Sequence, residues 1–133
     1  MASWDDVRQI TLALPQTSEE PYFRTTAWKV GGRAFAWIRP LSQSDINQLT
    51  ERGEELPEGE ILAASVEDLL AKEVLIQQAP EIFFTIPHFS RTAAVLARLD
   101  EIPPELLYET LVEAWLSRAP ERLARKFLET QGT

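Results

Sequence analysis

The chain of 133 residues contains no cysteine and a single histidine, His88. The lack of cysteine excludes disulfides, a thiolate nucleophile, zinc fingers and iron–sulfur ligation. One histidine excludes a histidine-rich metal site, so we expect no metal and no cofactor. No apolar run approaches the ~18 residues of a membrane span, and the first residues lack the basic start and apolar stretch of a signal peptide. We therefore expect a soluble, cytoplasmic protein with no membrane partner.

Basic residues are also few, with 13 lysines and arginines against 21 acidic residues and a formal net charge of −8. The whole molecule repels polyanions, which disfavours DNA binding driven by bulk charge, and any nucleic-acid contact needs a local patch. The sequence has no P-loop, dinucleotide-binding, nucleophile-elbow or zincin motif. We therefore expect a protein that is not an enzyme.

The 44% apolar and 26% charged composition predicts one domain covering residues 1–133. Ser3 suits a helix N-cap, and Pro15 ends the helix that follows. An acidic loop is expected around Glu19 and Glu20, and Gly31-Gly32 predicts a β-hairpin over 24–39. The later pattern predicts a variable, mobile acidic connection at about 41–59, with a short helix from Ser44 to about Gly53 as the alternative. It also predicts strands at 60–66, 81–86 and 92–99, and helices at about 69–79, 103–117 and from 119 onward.

This order of elements predicts an α+β fold in which helices cover one face of an antiparallel sheet. A two-residue turn at Gly31-Gly32 would place Val30 opposite Arg33, and it would give the two strands one bulky and one small face. The expected cross-strand pairs further from the turn are Trp28–Phe35, Thr26–Trp37 and Arg24–Arg39. Trp28, Phe35 and Trp37 would then share the bulky face.

Four cations and no acidic residue lie between Pro21 and Ser44. In the nucleic-acid interpretation, these cations contact phosphates while aromatic rings between them stack on bases, an arrangement suited to single strands. In the structural interpretation, the bulky face is the core and the arginines lie at the sheet margins. The residues assigned to nucleic-acid contact in the hairpin are Arg24, Trp28, Lys29, Arg33, Trp37 and Arg39.

A second set of cations follows the predicted helix at 103–117. Arg118, Arg122 and Arg125 are candidate phosphate contacts, although their helical spacing and the acidic whole-chain charge favour a solvated face. Pro87, His88 and Arg91 form a possible functional loop. His88 is a proton carrier only if a carboxylate orients it, and no partner is adjacent in sequence, so a structural role in the turn is the alternative.

Four short segments carry a resemblance to a known family: 27–30 (AWKV), 83–89 (FFTIPHF), 95–100 (VLARLD) and 115–120 (WLSRAP). In these segments, and over about Val7 to Leu123, the chain resembles the MmcQ/YjbR family. The resemblance implies a small intracellular protein with an α+β fold like that of frataxin's bacterial relatives. It also implies the DNA-binding label that members commonly carry, without supplying catalytic residues.

The sequence thus favours a non-enzymatic DNA-binding protein that contacts phosphates through the hairpin and the last helix. The alternative is an interaction module that binds a protein or a small ligand through the sheet face, without nucleic acid.

Overall fold

The hairpin around Gly31-Gly32 forms part of a six-stranded sheet in the computed structural model, which describes residues 2–131. The strands lie in the order β1-β2-β3-β4-β6-β5, and every neighbouring pair is antiparallel. Their bounds are β1 Thr17–Tyr22, β2 Thr25–Val30, β3 Arg33–Ile38, β4 Ile61–Ser65, β5 Phe83–Phe84 and β6 Ala94–Arg98.

The helices are α1 Trp4–Leu12, α2 Gln43–Glu51, α3 Leu69–Gln78, α4 Pro104–Arg118 and α5 Glu121–Gln131. Ser3 caps α1 as predicted, in a capping box with Asp6, and Ser42 caps α2 in the same way with Asp45. A short 3-10 turn, Pro87–Phe89, occupies the bend predicted before β6.

The main core lies between one face of the sheet and the helices α1, α3, α4 and α5, with Trp28 and Trp115 fully buried in it. The α+β antiparallel fold predicted from the sequence is therefore confirmed. The other face of the sheet carries a smaller cluster that includes Leu49 of α2, Phe89 of the 3-10 turn, and Leu96. Helix α2 and the 3-10 turn thus cover part of this second face.

Two expectations about local structure are wrong. The predicted acidic loop at Glu19 and Glu20 is strand β1, in which Pro21 is tolerated because β1 lies at the edge of the sheet. The predicted connection at 41–59 contains α2, whose amphipathic turns place Leu49 against the second face.

The hairpin register also differs from the expected one. Val30 lies opposite Arg33 as predicted, but a bulge between Trp28 and Lys29 shifts the pairing by one residue. Trp28 therefore pairs with Ala36 rather than Phe35, and Trp37 pairs with Ala27 rather than Thr26. Directly opposed residues point to the same face, so Trp28 shares a face with Ala36, and Trp37 shares the other face with Ala27. The expectation that Trp28 and Trp37 share one face is therefore wrong. Trp28 lies in the main core and Trp37 lies on the second face.

Candidate aromatic and cationic cleft

The turn between β1 and β2 consists of Phe23 and Arg24, both with positive φ (45° and 72°). Tight two-residue hairpin turns with two positive φ values normally use Asn-Gly or Gly-Gly, because a Cβ makes this conformation cost roughly 1–2 kcal/mol per residue. The Phe23 side chain is 85% exposed, so burial of its ring does not offset this strain. Strained backbone that burial does not explain is common at functional sites, which makes this turn a candidate.

A row of five rings starts at this turn and crosses the second face of the sheet. The Phe23 and Tyr22 ring centroids are 4.7 Å apart, and Tyr22 is 5.8 Å from Trp37. Trp37 is 6.3 Å from Phe89, and Phe89 is 5.6 Å from the His88 ring. These separations lie within or close to the range of direct aromatic contact. The row is therefore a chain of ring contacts that runs from the exposed Phe23 to the buried Phe89.

The rings line a cleft of about 600 Å³, which we call the aromatic cleft. Its volume falls within the usual range for a small-ligand site. The lining has two arginines and no acidic residue, and it comprises Tyr22, Phe23, Arg24, Thr25, Trp37, Ile38, Arg39, Pro40, Leu41, Ser42, His88 and Phe89. The structure thus brings together four residues that the sequence analysis singled out: Arg24, Trp37, Arg39 and His88.

Two cations lie against the rings of the row. The Arg39 guanidinium is 5.2 Å from the Phe89 ring centroid, and the Lys29 ammonium is 5.7 Å from that of Tyr22. Lys29 is also 3.6 Å from a Glu20 carboxylate oxygen. Arg24 is exposed and forms no ion pair with any residue of the described range 2–131. It is therefore the cation of the cleft that is most available to an anionic ligand.

Arg39 is held in place by Asp45, whose buried carboxylate lies 2.9 Å from the guanidinium. Burial opposes ionisation of Asp45, but hydrogen bonds from the Ser42 backbone N–H and from Arg39 outweigh it and hold the pKa of Asp45 below its ordinary value. The first turn of α2 therefore fixes the position of Arg39 at the cleft and neutralises part of its charge.

Buried Lys72 holds the 3-10 turn that supplies His88 and Phe89 to the cleft. Its ammonium donates to the carbonyl oxygens of Phe89 (2.5 Å) and Thr92 (3.1 Å), which bracket the end of the 3-10 turn. Burial lowers the pKa of Lys72, and no carboxylate among residues 2–131 pairs with it. Lys72 therefore anchors the backbone of the 3-10 turn that carries the Phe89 ring. Lys72 was not among the predicted site residues, although a lone lysine within an apolar helical run is a recognisable signal.

A second cationic group lies at the other end of the hairpin, where Gly31 packs close to Pro120. Arg118 donates to the Ala93 carbonyl (3.1 Å), and its pKa is lowered by burial and by the nearby charge of Arg33. We call Arg33 and Arg118 the tip pair. Six-residue strands place it about 20 Å from the aromatic cleft.

The remaining candidate cations lie away from the cleft lining. Arg122 is exposed, Arg125 pairs with Glu121 at 2.8 Å, and Arg91 is exposed in the loop after Pro87. The structure thus divides the predicted basic patch into a cleft group, a tip pair and a helix surface.

The YjbR family profile matches residues 12–117. The chain belongs to the YjbR family. Uncharacterised proteins of Mycobacterium tuberculosis and Mycobacterium bovis are 44% identical to it over 133 residues, covering 99% of this chain and all of each relative. The crystal structure of Deinococcus radiodurans protein DR2400, described as a DUF419 domain, superposes with a TM-score of 0.63. The two sequences are 27% identical, and the superposition covers 87% of this chain and 78% of the DR2400 chain.

In this YjbR-family chain, Trp28 lies in the core, although the sequence made it a candidate for stacking on a base. It is 0% exposed, and its Nε1 donates to Glu19 at 3.0 Å, while the same carboxylate oxygen accepts from Arg8 at 2.8 Å. Trp28 has no free face for stacking on a base. Tyr22 and Phe23, which the sequence analysis did not select, supply rings to the cleft instead.

Across residues 2–131, no helix is both long and apolar enough to cross a bilayer. The same part of the chain holds no cluster of three or more acidic or histidine side chains placed to bind a metal ion.

Proposed function

We propose that this YjbR-family protein binds single-stranded nucleic acid at the aromatic cleft, without catalysing a reaction on it. The observation that carries this proposal is the row of rings from Phe23 to Phe89, with cations lying against it. Sequence-tolerant binding of single strands combines stacking on aromatic rings, worth roughly 1–3 kcal/mol per base, with basic groups that follow the backbone.

Each part of the cleft has a role in this proposal. Tyr22, Phe23 and Trp37 offer rings to bases, while Arg24 and Arg39 contact phosphates, with Lys29 beside them. The rings lie within a concave site, so they reach bases that are already unstacked more easily than bases inside a duplex. We therefore expect a preference for single strands.

The net charge of −8 limits the affinity that such a site can reach. Long-range repulsion opposes the approach of any polyanion, and only the local charges of the cleft favour it. Binding should therefore be measurable at low salt and weaken as salt is added, since each phosphate contact releases counterions.

The geometry around His88 supports the non-enzymatic part of the proposal. His88 contacts the Phe89 ring, but no carboxylate in the described range 2–131 hydrogen bonds to it. A general base normally needs such an orienting partner, so His88 serves as the last ring of the row.

The test is fluorescence anisotropy with labelled single- and double-stranded DNA of about 16 nucleotides, at about 50 and 200 mM salt. We expect single-strand binding at the lower salt and a loss of at least about tenfold for Arg24→Glu. Arg52→Glu is the matched control, because it makes the same charge change at an exposed position outside the cleft, and it should change binding less than about twofold.

Absence of single-strand binding at low salt would overturn the proposal. An equal loss for Arg24→Glu and Arg52→Glu would also overturn it, because it would show a response to net charge alone. Quenching of tryptophan fluorescence by DNA, removed by Trp37→Phe but retained in Trp28→Phe, would identify the ring in contact with a base.

A further inference from the structure

Helix α3 carries apolar side chains on two sides, and only one of them is covered. Ala71, Leu75 and Ile76 pack against the main core. Leu70 and Val74 point away from it and are 69% and 42% exposed. Exposed apolar side chains at i and i+4 on one side of a helix indicate a surface that another element covers.

The exposed side of α3 forms one wall of a groove whose other wall is α4. The α3–α4 groove has a volume of about 790 Å³, and its apolar lining includes Leu70, Val74, Leu106 and Leu116. It extends along α4 from Leu106 to Ser117, which at 1.5 Å per residue is about 17 Å or three helical turns.

Every charged residue in the lining of the groove is acidic: Glu67, Asp68, Glu109 and Glu113. The one lysine of α3, Lys72, does not offset them, because its ammonium is buried and donates to Phe89 and Thr92. The groove thus combines an apolar floor with carboxylates on both walls.

We propose that the α3–α4 groove binds a basic amphipathic helix of a partner protein. Apolar side chains spaced at i, i+3 or i+4, and i+7 on that helix fill the space beside Leu70 and Val74, as in other helix-in-groove complexes. Its lysines and arginines face the four carboxylates, which fix its register and, with the net charge of −8, accelerate its approach.

The same charges disfavour other occupants. Carboxylates on both walls repel nucleic acid and anionic lipid surfaces. Within residues 2–131, a second copy of this chain offers one basic amphipathic helix, α5. The apolar face of that helix is engaged, because Phe127 contacts Trp115 at 5.0 Å and Leu123 also packs on the main core. A separate partner is therefore the occupant that fits.

The test uses fluorescence anisotropy with a labelled 14-residue peptide of leucine and lysine, with leucines at helical spacing. A control peptide of identical composition alternates the two residues, and so has the strand period instead. We expect the wild-type protein to bind the helical peptide at least about tenfold more tightly than the control, because only a helix presents both an apolar stripe and a charged face.

Two pairs of matched variants locate the site. Leu70→Asn should weaken the helical peptide at least about tenfold, whereas Leu69→Asn, at an exposed neighbour outside the groove lining, should have less than about a twofold effect. The double variant Glu109→Lys with Glu113→Lys should likewise weaken binding at least about tenfold. Glu55→Lys with Glu58→Lys makes the same change in net charge elsewhere and should leave most of the binding intact.

A peptide in which glutamate replaces every lysine should bind the Glu109→Lys, Glu113→Lys protein better than the wild type, and that rescue would support the proposal. Equal losses within either matched pair would overturn it, since they would show non-specific attraction. Sedimentation showing a dimer that Leu70→Asn dissociates would also overturn it, because the occupant would then be a second copy. All these residues are exposed, and circular dichroism would confirm that each variant is folded.

Discussion

Trp28 and Trp37 lie on opposite faces of the sheet, although both belong to the same hairpin and strict alternation would place them together. The bulge between Trp28 and Lys29 causes this separation. One indole completes the main core and bonds to Glu19, while the other joins the row of rings in the aromatic cleft. A single inserted residue thus divides the aromatic residues of the hairpin between stability and proposed binding.

The positive-φ turn leads to a prediction about Arg24. Arg24→Gly should raise the free energy of unfolding by about 0.5–1 kcal/mol, because glycine relieves the left-handed strain but also increases the entropy of the unfolded chain. The same variant should lose single-strand binding at low salt. Arg24→Lys retains both charge and strain, so it should keep most of the binding with unchanged stability. Urea denaturation would measure the free energy of unfolding, and anisotropy would measure single-strand binding. A loss of stability in Arg24→Gly would contradict the role given to strain.

Lys72 leads to a prediction about the 3-10 turn. Lys72→Met should leave the Phe89 and Thr92 carbonyl oxygens without their buried donor, which costs roughly 1–3 kcal/mol. Hydrogen exchange should therefore accelerate at the Ser90 and Thr92 amides, which bond within this turn, more than at amides of α1. If exchange at these two amides is unchanged while global stability falls, Lys72 does not position the turn.

Asp45 leads to a prediction about pH. Its pKa in the folded protein lies below the ordinary value of about 3.9, so the unfolded chain binds its proton more readily. This contribution to stability is fully present above about pH 5 and is lost as the pH falls through the lower, folded-state pKa. Asp45→Asn should be less stable at pH 7 by roughly 1–3 kcal/mol. Its stability should also fall less steeply than that of the wild type below about pH 5 in acid titrations of urea unfolding. Parallel curves for the two proteins would contradict this assignment.

The tip pair leads to a prediction about strand length. A strand of about four nucleotides fits the aromatic cleft alone, whereas a strand of about 16 nucleotides extends far enough to reach the tip pair as well. Arg33→Glu should therefore weaken binding of the longer strand and leave the shorter one within about twofold. It should also raise the melting temperature slightly, because the repulsion between Arg33 and Arg118 is replaced by attraction between the new glutamate and Arg118. Equal weakening of both lengths would show that Arg33 acts through overall charge.

Local signals in the sequence predicted much of the fold. Ser3 caps α1, Gly31-Gly32 makes the hairpin turn, and Pro15 lies just beyond the end of the helix that it was expected to limit. Each of these residues acts on its own neighbours, so its effect can be inferred without the rest of the chain.

The aromatic cleft was predictable only in part, because it depends on relations between distant segments. The hairpin pattern grouped Arg24, Trp37 and Arg39, but their meeting with His88 depends on the edge strand β1 and on the docking of the 3-10 turn, which Lys72 holds. Strand β1 contains Pro21 and two glutamates, which disfavour a strand locally, and its pairing with β2 overrides that preference. The bulge likewise has no glycine to mark it.

The Trp115 indole donates to the Pro15 carbonyl across 100 residues of sequence, and α4 covers both β3 and β4. The sheet therefore gains its principal cover from a segment that leaves the ribosome after all six strands. Until α4 emerges, the nascent chain carries finished strands with an unprotected apolar face, a substrate suited to chaperones that act during translation. Chains truncated before α4 should consequently aggregate instead of populating a smaller native state.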